Sequence, residues 1–280
     1  MAYSFTFSRF DAHVPLSLIG LPDARILLEA PYPAILGASS VLIYAFLIYV
    51  VWPRAYASAR ALRARGGKPA EPSWAFTHHV FLAVYSLAAC AAAAVSLAPA
   101  SERTLVAFTC APIPPWLRLV SLSFTASKIL EWVDTAVHFA RGGTLGAGQL
   151  SFLHCYHHAT TFLLFLITPN IPGLDKAGML MNGFVHTLMY AHYAWRFSWP
   201  GARPLITFSQ IVQLASSTVL WAASPRICGP GSAAANYARD APIAFGVPFV
   251  LVPVFLWFFI LFFFETYCSV KRKAGGAKGD

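Results

Sequence analysis

"HCYHHATTFLLFL" occupies residues 154–166 of a 280-residue chain, three imidazoles within five positions that run straight into an apolar stretch. Polar side chains are costly inside a membrane helix and mark function when they occur there. Whether this stretch is a lipid-embedded helix decides the fold, and the rest of the chain answers.

The chain is 58% hydrophobic, 15% aromatic and only 11% charged, with a mean hydropathy of +0.60. Those values lie outside the soluble average and describe an integral membrane protein. Charges are absent from residues 32–53, 72–101, 142–174, 177–195, 204–225 and 241–264. Each gap can hold the roughly 20 apolar residues a spanning helix needs. A seventh stretch, 116–138, is as apolar except for Lys128, Glu131 and Asp134. The expectation is an all-α polytopic protein of seven transmembrane helices.

Seven spans put the termini on opposite sides. Twelve of the 20 basic residues, among them Arg54, Arg60, Arg63, Arg141, Arg196, Arg203 and Arg272, fall in one set of connections, against seven in the other. The positive-inside rule places the richer set in the cytosol, hence a lumenal N-terminus and a cytosolic C-terminus. Topology thereby accounts for most of the +9 net charge and makes nucleic acid a poor partner. Nothing before Pro31 resembles a cleaved signal, so the first helix is expected to act as its own insertion signal.

No linker divides the chain, and no repeat or duplicated half is visible. Residues 1–270 are expected to form a single domain. Residues 271–280, rich in Gly, Ala and Lys, read as a disordered tail. Of the five cysteines, Cys110 and Cys228 both fall in expected lumenal loops, where a disulfide persists. Their pairing is expected, with two unrelated loop thiols as the alternative.

Four expected helices carry polar residues at helical spacing. Lys128, Glu131, Asp134 and Thr135 lie in the third, and His154, His157 and His158 share one face of the fourth. The fifth holds Asn182, His186, Tyr190, His192 and Tyr193, and the sixth Thr207, Gln210 and Gln213. Counting inward from the nearest cytosolic charge or helix start (Arg141, Gln149, Arg196 and Arg203), Glu131, His157, His186 and Gln210 lie roughly 10 to 15 Å deep at 1.5 Å per residue. One buried chamber open to the cytosol is expected. Interhelical hydrogen bonding explains the amides and Thr207 on its own, but it is a poor account of clustered imidazoles beside a lysine and two carboxylates. His13, His78 and His79 read as interfacial, with no special role.

A neutral imidazole serves as metal ligand, general base or nucleophile. HxxHH resembles one box of the membrane di-iron desaturases and hydroxylases, but those use about three boxes and this chain has one. A seven-helix transporter with a buried proton relay is a further alternative. "KILEWVDT" (128–135), "HCYHH" (154–158), "NGFVHTLMYAHY" (182–193) and "TFSQIVQ" (207–213) together resemble, in order, the four signature segments of ELO-type very-long-chain fatty acid elongases. His192 stands where that pattern has the first of two tyrosines, and the tail lacks a terminal dilysine retrieval signal.

The resemblance implies an endoplasmic-reticulum acyltransferase that condenses malonyl-CoA with a long acyl-CoA to 3-oxoacyl-CoA, with no cofactor or metal. It implies His157 as nucleophile through an acyl-imidazole and His186 as its partner or general base, with His154 and His158 positioning the site. Glu131 and Asp134 would orient the rings and Lys128 neutralise them, with Asn182, Tyr190, Tyr193, Gln210 and Gln213 supporting. Cys155, the residue type that soluble condensing enzymes use, reads as packing. Arg141, Arg203 and Arg272 are candidates for the CoA phosphates. The acyl chain would run from the chamber into a lumenal tunnel, and Gln149 leans the preference to polyunsaturated chains. Membrane lipid, the reductases and dehydratase of the cycle, and a second copy of the chain are the implied partners.

Overall fold

The computed structural model describes residues 32–97, 104–111, 114–146, 151–167 and 173–268. Gln149, Arg272 and the 271–280 tail lie outside the described residues. Within them every regular element is helical.

Helix α1 (Tyr32–Phe46) continues through a π-helical stretch, Leu47–Val51, into the turn Trp52–Ala55. The widening sits immediately before Pro53, whose ring supplies no N–H to the preceding turn. Then follow α2 (Ala57–Ala64), α3 (Ser73–Val95), α4 (Leu105–Cys110), α5 (Pro115–Leu130) and α6 (Trp132–Ala140). After them come α7 (Phe152–Ile167), α8 (Leu174–Trp195), α9 (Ala202–Cys228), α10 (Ala233–Asp240) and α11 (Pro242–Phe263, ending in the π-helical Phe264–Cys268).

Among the described residues four segments are long and apolar enough to cross a membrane: Ile35–Ala55, Ser73–Val95, Ala202–Cys228 and Pro242–Cys268. The other three expected spans fall short for physical reasons. The third is divided at Glu131, where the Asp134 N–H bonds the Glu131 carbonyl three residues back, a local 3₁₀ tightening of the ladder. Helix α7 is described over 16 residues, Phe152–Ile167. Helix α8 has 22 but carries Asp175, Lys176, Asn182, His186 and His192. The polar residues of interest are what lower the hydropathy of the helices that hold them.

The outer surface is apolar: Leu42, Val84, Val219, Val250 and Ile243 are all exposed. In water such a surface would be an aggregation patch, and in lipid it is the expected face. Lipid gives helices no hydrophobic reason to associate, so close packing must supply it. At the α3–α8 contact a Cβ on Gly183 would come within 2.9 Å of the Ser86 carbonyl and 3.1 Å of Cys90. Glycine lets those two backbones meet. Cys110 and Cys228 are joined by a disulfide that ties α4 to the end of α9 across a sequence separation of 118.

The apolar interior is split into small clusters. Ala89, Ala93, Leu117, Phe124 and Met179 form one, Tyr44, Ile48, Trp132 and Phe139 a second, and Leu214, Val252 and Phe255 a third.

Candidate active site

A cavity of about 390 Å³ opens among α7, α8, α9, α11 and the α5–α6 junction. Glu131 enters it from the junction, and His154, His157 and His158 from α7. Helix α8 contributes Asn182, His186 and Tyr190, and α9 contributes Gln210 and Gln213. Leu214, Phe259 and Phe262 form apolar wall. Residues spread over more than 80 positions of sequence thus face one space, because each set repeats every three or four residues on its own helix.

Glu131 anchors the polar side. Its Oε1 accepts from Lys128 Nζ at 2.6 Å and lies 3.2 Å from His186 Nδ1, in ion-pair range but without hydrogen-bond alignment. Lys128 Nζ also donates to Asn182 Oδ1 at 2.7 Å and sits 4.2 Å from the Phe124 ring centroid and 4.8 Å from that of Phe165. An uncompensated buried ammonium would be very costly, and this one has a carboxylate, an amide oxygen and two ring faces. Lys128 stands behind the cavity wall and Glu131 in it.

The three imidazoles of α7 are graded by their surroundings. The His154 and His158 ring centroids are 4.3 Å apart. His154 Nε2 shares a hydrogen bond with Thr135 Oγ1 at 3.0 Å, which in turn meets Tyr44 OH at 2.9 Å. His158 is buried and stacked on Tyr44. His157 makes no such bond: it faces the cavity, with Phe255 at 5.1 Å and Phe259 at 6.5 Å between centroids. All three rings line the cavity; His154 is held by a hydrogen bond and His158 by stacking on Tyr44, and His157 has neither. Cys155 packs with the Tyr44–Trp132 cluster and does not line the cavity.

Several expected residues stand elsewhere. Asp134 does not face the cavity. Its Oδ1 meets His78 Nε2 at 3.0 Å and His79 Nε2 at 3.6 Å, and its Oδ2 accepts from Tyr190 OH at 2.6 Å. The interfacial reading of His78 and His79 is therefore corrected: His79 is buried, and both pair with a buried carboxylate. A signal existed, since His79 lies in register with the small or apolar buried positions Ala75, Leu82, Ala83, Ser86 and Ala89 of α3. Tyr193 packs against His79 and Tyr190, outside the cavity lining.

Of the arginines, Arg141 is engaged by Glu71, which also binds Arg196. Glu71 and Arg196 were not singled out in the sequence, because nothing local links positions 71, 141 and 196. Arg196 closes α8 with a left-handed backbone, φ 48°. Arg203 Nε donates to His192 Nε2 at 3.4 Å.

A second, narrower cavity of about 80 Å³ shares Asn182, Gln213 and Leu214 with the first and continues past Ser217 and Thr218 to Trp221. The Trp221 indole is fixed by donation to the Phe245 carbonyl at 3.0 Å. Among the described residues no three His, Cys, Asp or Glu side chains converge as a metal site.

Fold and site together define a helical membrane protein with a histidine-lined cavity buried between its helices. The chain belongs to the GNS1/SUR4 (ELO) family, which it matches over residues 34–275. It is 27% identical over 164 residues to very long chain fatty acid elongase 4 of Macaca mulatta, covering 55% of this chain and 48% of that protein. It is 30% identical over 149 residues to long chain fatty acid elongase 1 of Caenorhabditis elegans (51% and 49%). Over 69 residues it is 41% identical to very long chain fatty acid elongase 2 of Rattus norvegicus (24% of each). The chain spans about half or less of the length of these relatives.

Proposed function

We propose that the chain is a 3-oxoacyl-CoA synthase of the endoplasmic-reticulum membrane, condensing malonyl-CoA with a long acyl-CoA, and that seven helices cross the bilayer with the C-terminus cytosolic. The observation that carries this reading is the convergence of Glu131, His157, His186 and Gln210 on one cavity. Family membership supports elongation over the desaturase and transporter readings.

The neutral His157 imidazole attacks the acyl thioester carbon, the C–S bond breaks, and the chain is held as an acyl-imidazole. Malonyl-CoA then loses carbon dioxide, its enolate attacks the held acyl carbon, and the C–N bond breaks to restore His157. Dividing one hard step into two is what covalent catalysis contributes. A turn of the His186 ring to donate Nδ1–H to Glu131, 3.2 Å away, fixes the tautomer protonated there and leaves Nε2 to act as base. His154 and His158 position the nucleophile. The acyl chain lies along the second cavity towards Trp221, with a lean to polyunsaturated chains. No cofactor takes part, and the later enzymes of the cycle and a second copy are the partners.

The test is turnover. Purified protein given labelled malonyl-CoA and an acyl-CoA is expected to release carbon dioxide and a 3-oxo product two carbons longer, with no metal or reductant added. Failure with every chain length tried, or a requirement for iron, oxygen and electrons, contradicts the reading.

A further inference from the structure

We propose that His78, Asp134 and Tyr190 form a relay that brings one proton into the cavity for every turnover. The proposal rests on the condensation reading above. Acyl-CoA and malonyl-CoA enter, and 3-oxoacyl-CoA, carbon dioxide and free CoA leave. The balance requires one proton from solution, which ends on the CoA sulfur.

The relay is laid out from surface to cavity. His78 is the sixth residue of α3, which starts at Ser73, with its side chain 12% exposed against 3% for His79, which makes His78 the entry. Its Nε2 is 3.0 Å from Asp134 Oδ1, and Tyr190 OH is 2.6 Å from Asp134 Oδ2. Tyr190 lines the cavity that holds His157 and His186, whereas His78 and Asp134 do not. A carboxylate with an imidazole on one oxygen and a phenol on the other connects the surface to the cavity wall. His79 and Tyr193 pack against these three and His186 beside Tyr190, and His138, His158 and Glu131 lie within electrostatic range of Asp134 or Tyr190.

When the C–S bond breaks, Tyr190 gives its O–H proton to the departing sulfur. For this the Tyr190 hydroxyl turns from Asp134 Oδ2 to the sulfur, the His78 imidazolium gives its proton to the Asp134 carboxylate, Asp134 passes that proton to the phenolate, and water at the surface restores His78. His78 touches no substrate. It is a relay residue, and interhelical hydrogen bonding is the alternative the test must separate from it.

The experiment compares wild type with His78→Gln and Asp134→Asn at saturating substrates, in a weakly buffering medium and again with imidazole added. Glutamine keeps a hydrogen bond to Asp134 but carries no proton. The expected result for His78→Gln is kcat lowered about a hundredfold or more, within the range for general acid–base groups. Both KM values are unchanged, and imidazole restores much of the rate in a saturable way. Asp134→Asn is expected to lose at least as much and gain nothing from imidazole, because the gap is then internal. A His78→Gln enzyme that keeps the wild-type rate, or whose loss imidazole does not relieve, overturns the relay while wild-type turnover leaves the condensation standing. Should His78→Gln not fold, His78→Asn carries the same comparison, and failure of both amides to fold makes His78 structural and overturns the relay too. A wild type that forms no 3-oxo product removes both readings together.

Discussion

Lys128 and Glu131 meet at 2.6 Å inside the bundle, both almost wholly buried, and the Glu131 oxygen that binds the ammonium also lies 3.2 Å from His186 Nδ1. One oxygen therefore serves stability and the cavity at once. Removing one member of a buried pair typically costs about 3–5 kcal/mol, because the other charge is stranded. Glu131→Gln is expected to lower stability in detergent by that order, read as a lower thermal midpoint, and to abolish turnover. Pairing it with Lys128→Met is expected to recover most of the stability and none of the activity. A double variant as unstable as Glu131→Gln would contradict the pairing.

Cys155 and His157 are two residues apart but differ in surroundings. Cys155→Ala is expected to keep turnover within about threefold, the scale of a fraction of a kcal/mol. His157→Ala is expected to give no measurable product. The reverse pattern would assign the acyl group to sulfur.

At the end of the second cavity, Trp221 is buried and anchored to Phe245. Trp221→Ala is expected to move the product distribution towards longer chains. The preference for a chain two methylenes longer should rise about tenfold or more, since each methylene accommodated in an apolar pocket is worth about 1–3 kcal/mol. An unchanged distribution would mean that the chain runs elsewhere.

Glu71 holds Arg141 and Arg196 at the edge of the bundle. Its partial burial pushes its carboxyl up, but the two guanidinium groups outweigh this and hold it below the usual carboxylate value of 4.5. A depressed value means that the clasp stabilises fully above pH 4.5 and is lost as pH falls through the folded value. Melting curves of wild type and Glu71→Gln are expected to differ modestly at pH 7 and to converge in strong acid. High salt should narrow the difference too, because the group is about a third exposed and screened.

The Cys110–Cys228 bridge closes a loop of more than a hundred residues. On the chain-entropy account, such a loop contributes about 4–5 kcal/mol. Cys228 is 18 residues along α9 from Gln210, about 27 Å at helical rise, so the bridge stands far from the first cavity, although Cys228 packs against the Leu174 and Trp221 cluster that lines the second. Cys110→Ser with Cys228→Ser is expected to lower the melting temperature and leave activity at low temperature intact.

The cavity was legible where chemistry and period coincide. His154, His157 and His158 share a face, as do the amides of α9, and the Lys128–Glu131 pair is local. What escaped was non-local or out of phase. Asp134 is three residues from Glu131, about 60° round an ideal helix, so spacing alone places it in the cavity; the division of the helix at Glu131 breaks that register, and Asp134 meets α3 and α8 instead. His78 and His79 became significant only through that contact. The Glu71 clasp joins three distant segments and leaves no local pattern. The same polar residues that make the cavity readable make three spans hard to recognise by hydropathy, as the division of α5 from α6 and the mixed composition of α8 illustrate.

The most direct test of a reactive imidazole at His157 is the intact mass of protein incubated with a long acyl-CoA and no malonyl-CoA. One acyl group per chain is expected, released as 3-oxoacyl product when malonyl-CoA is added and absent from His157→Ala. An unmodified wild type that still turns over, or an adduct that persists in His157→Ala, would contradict the account.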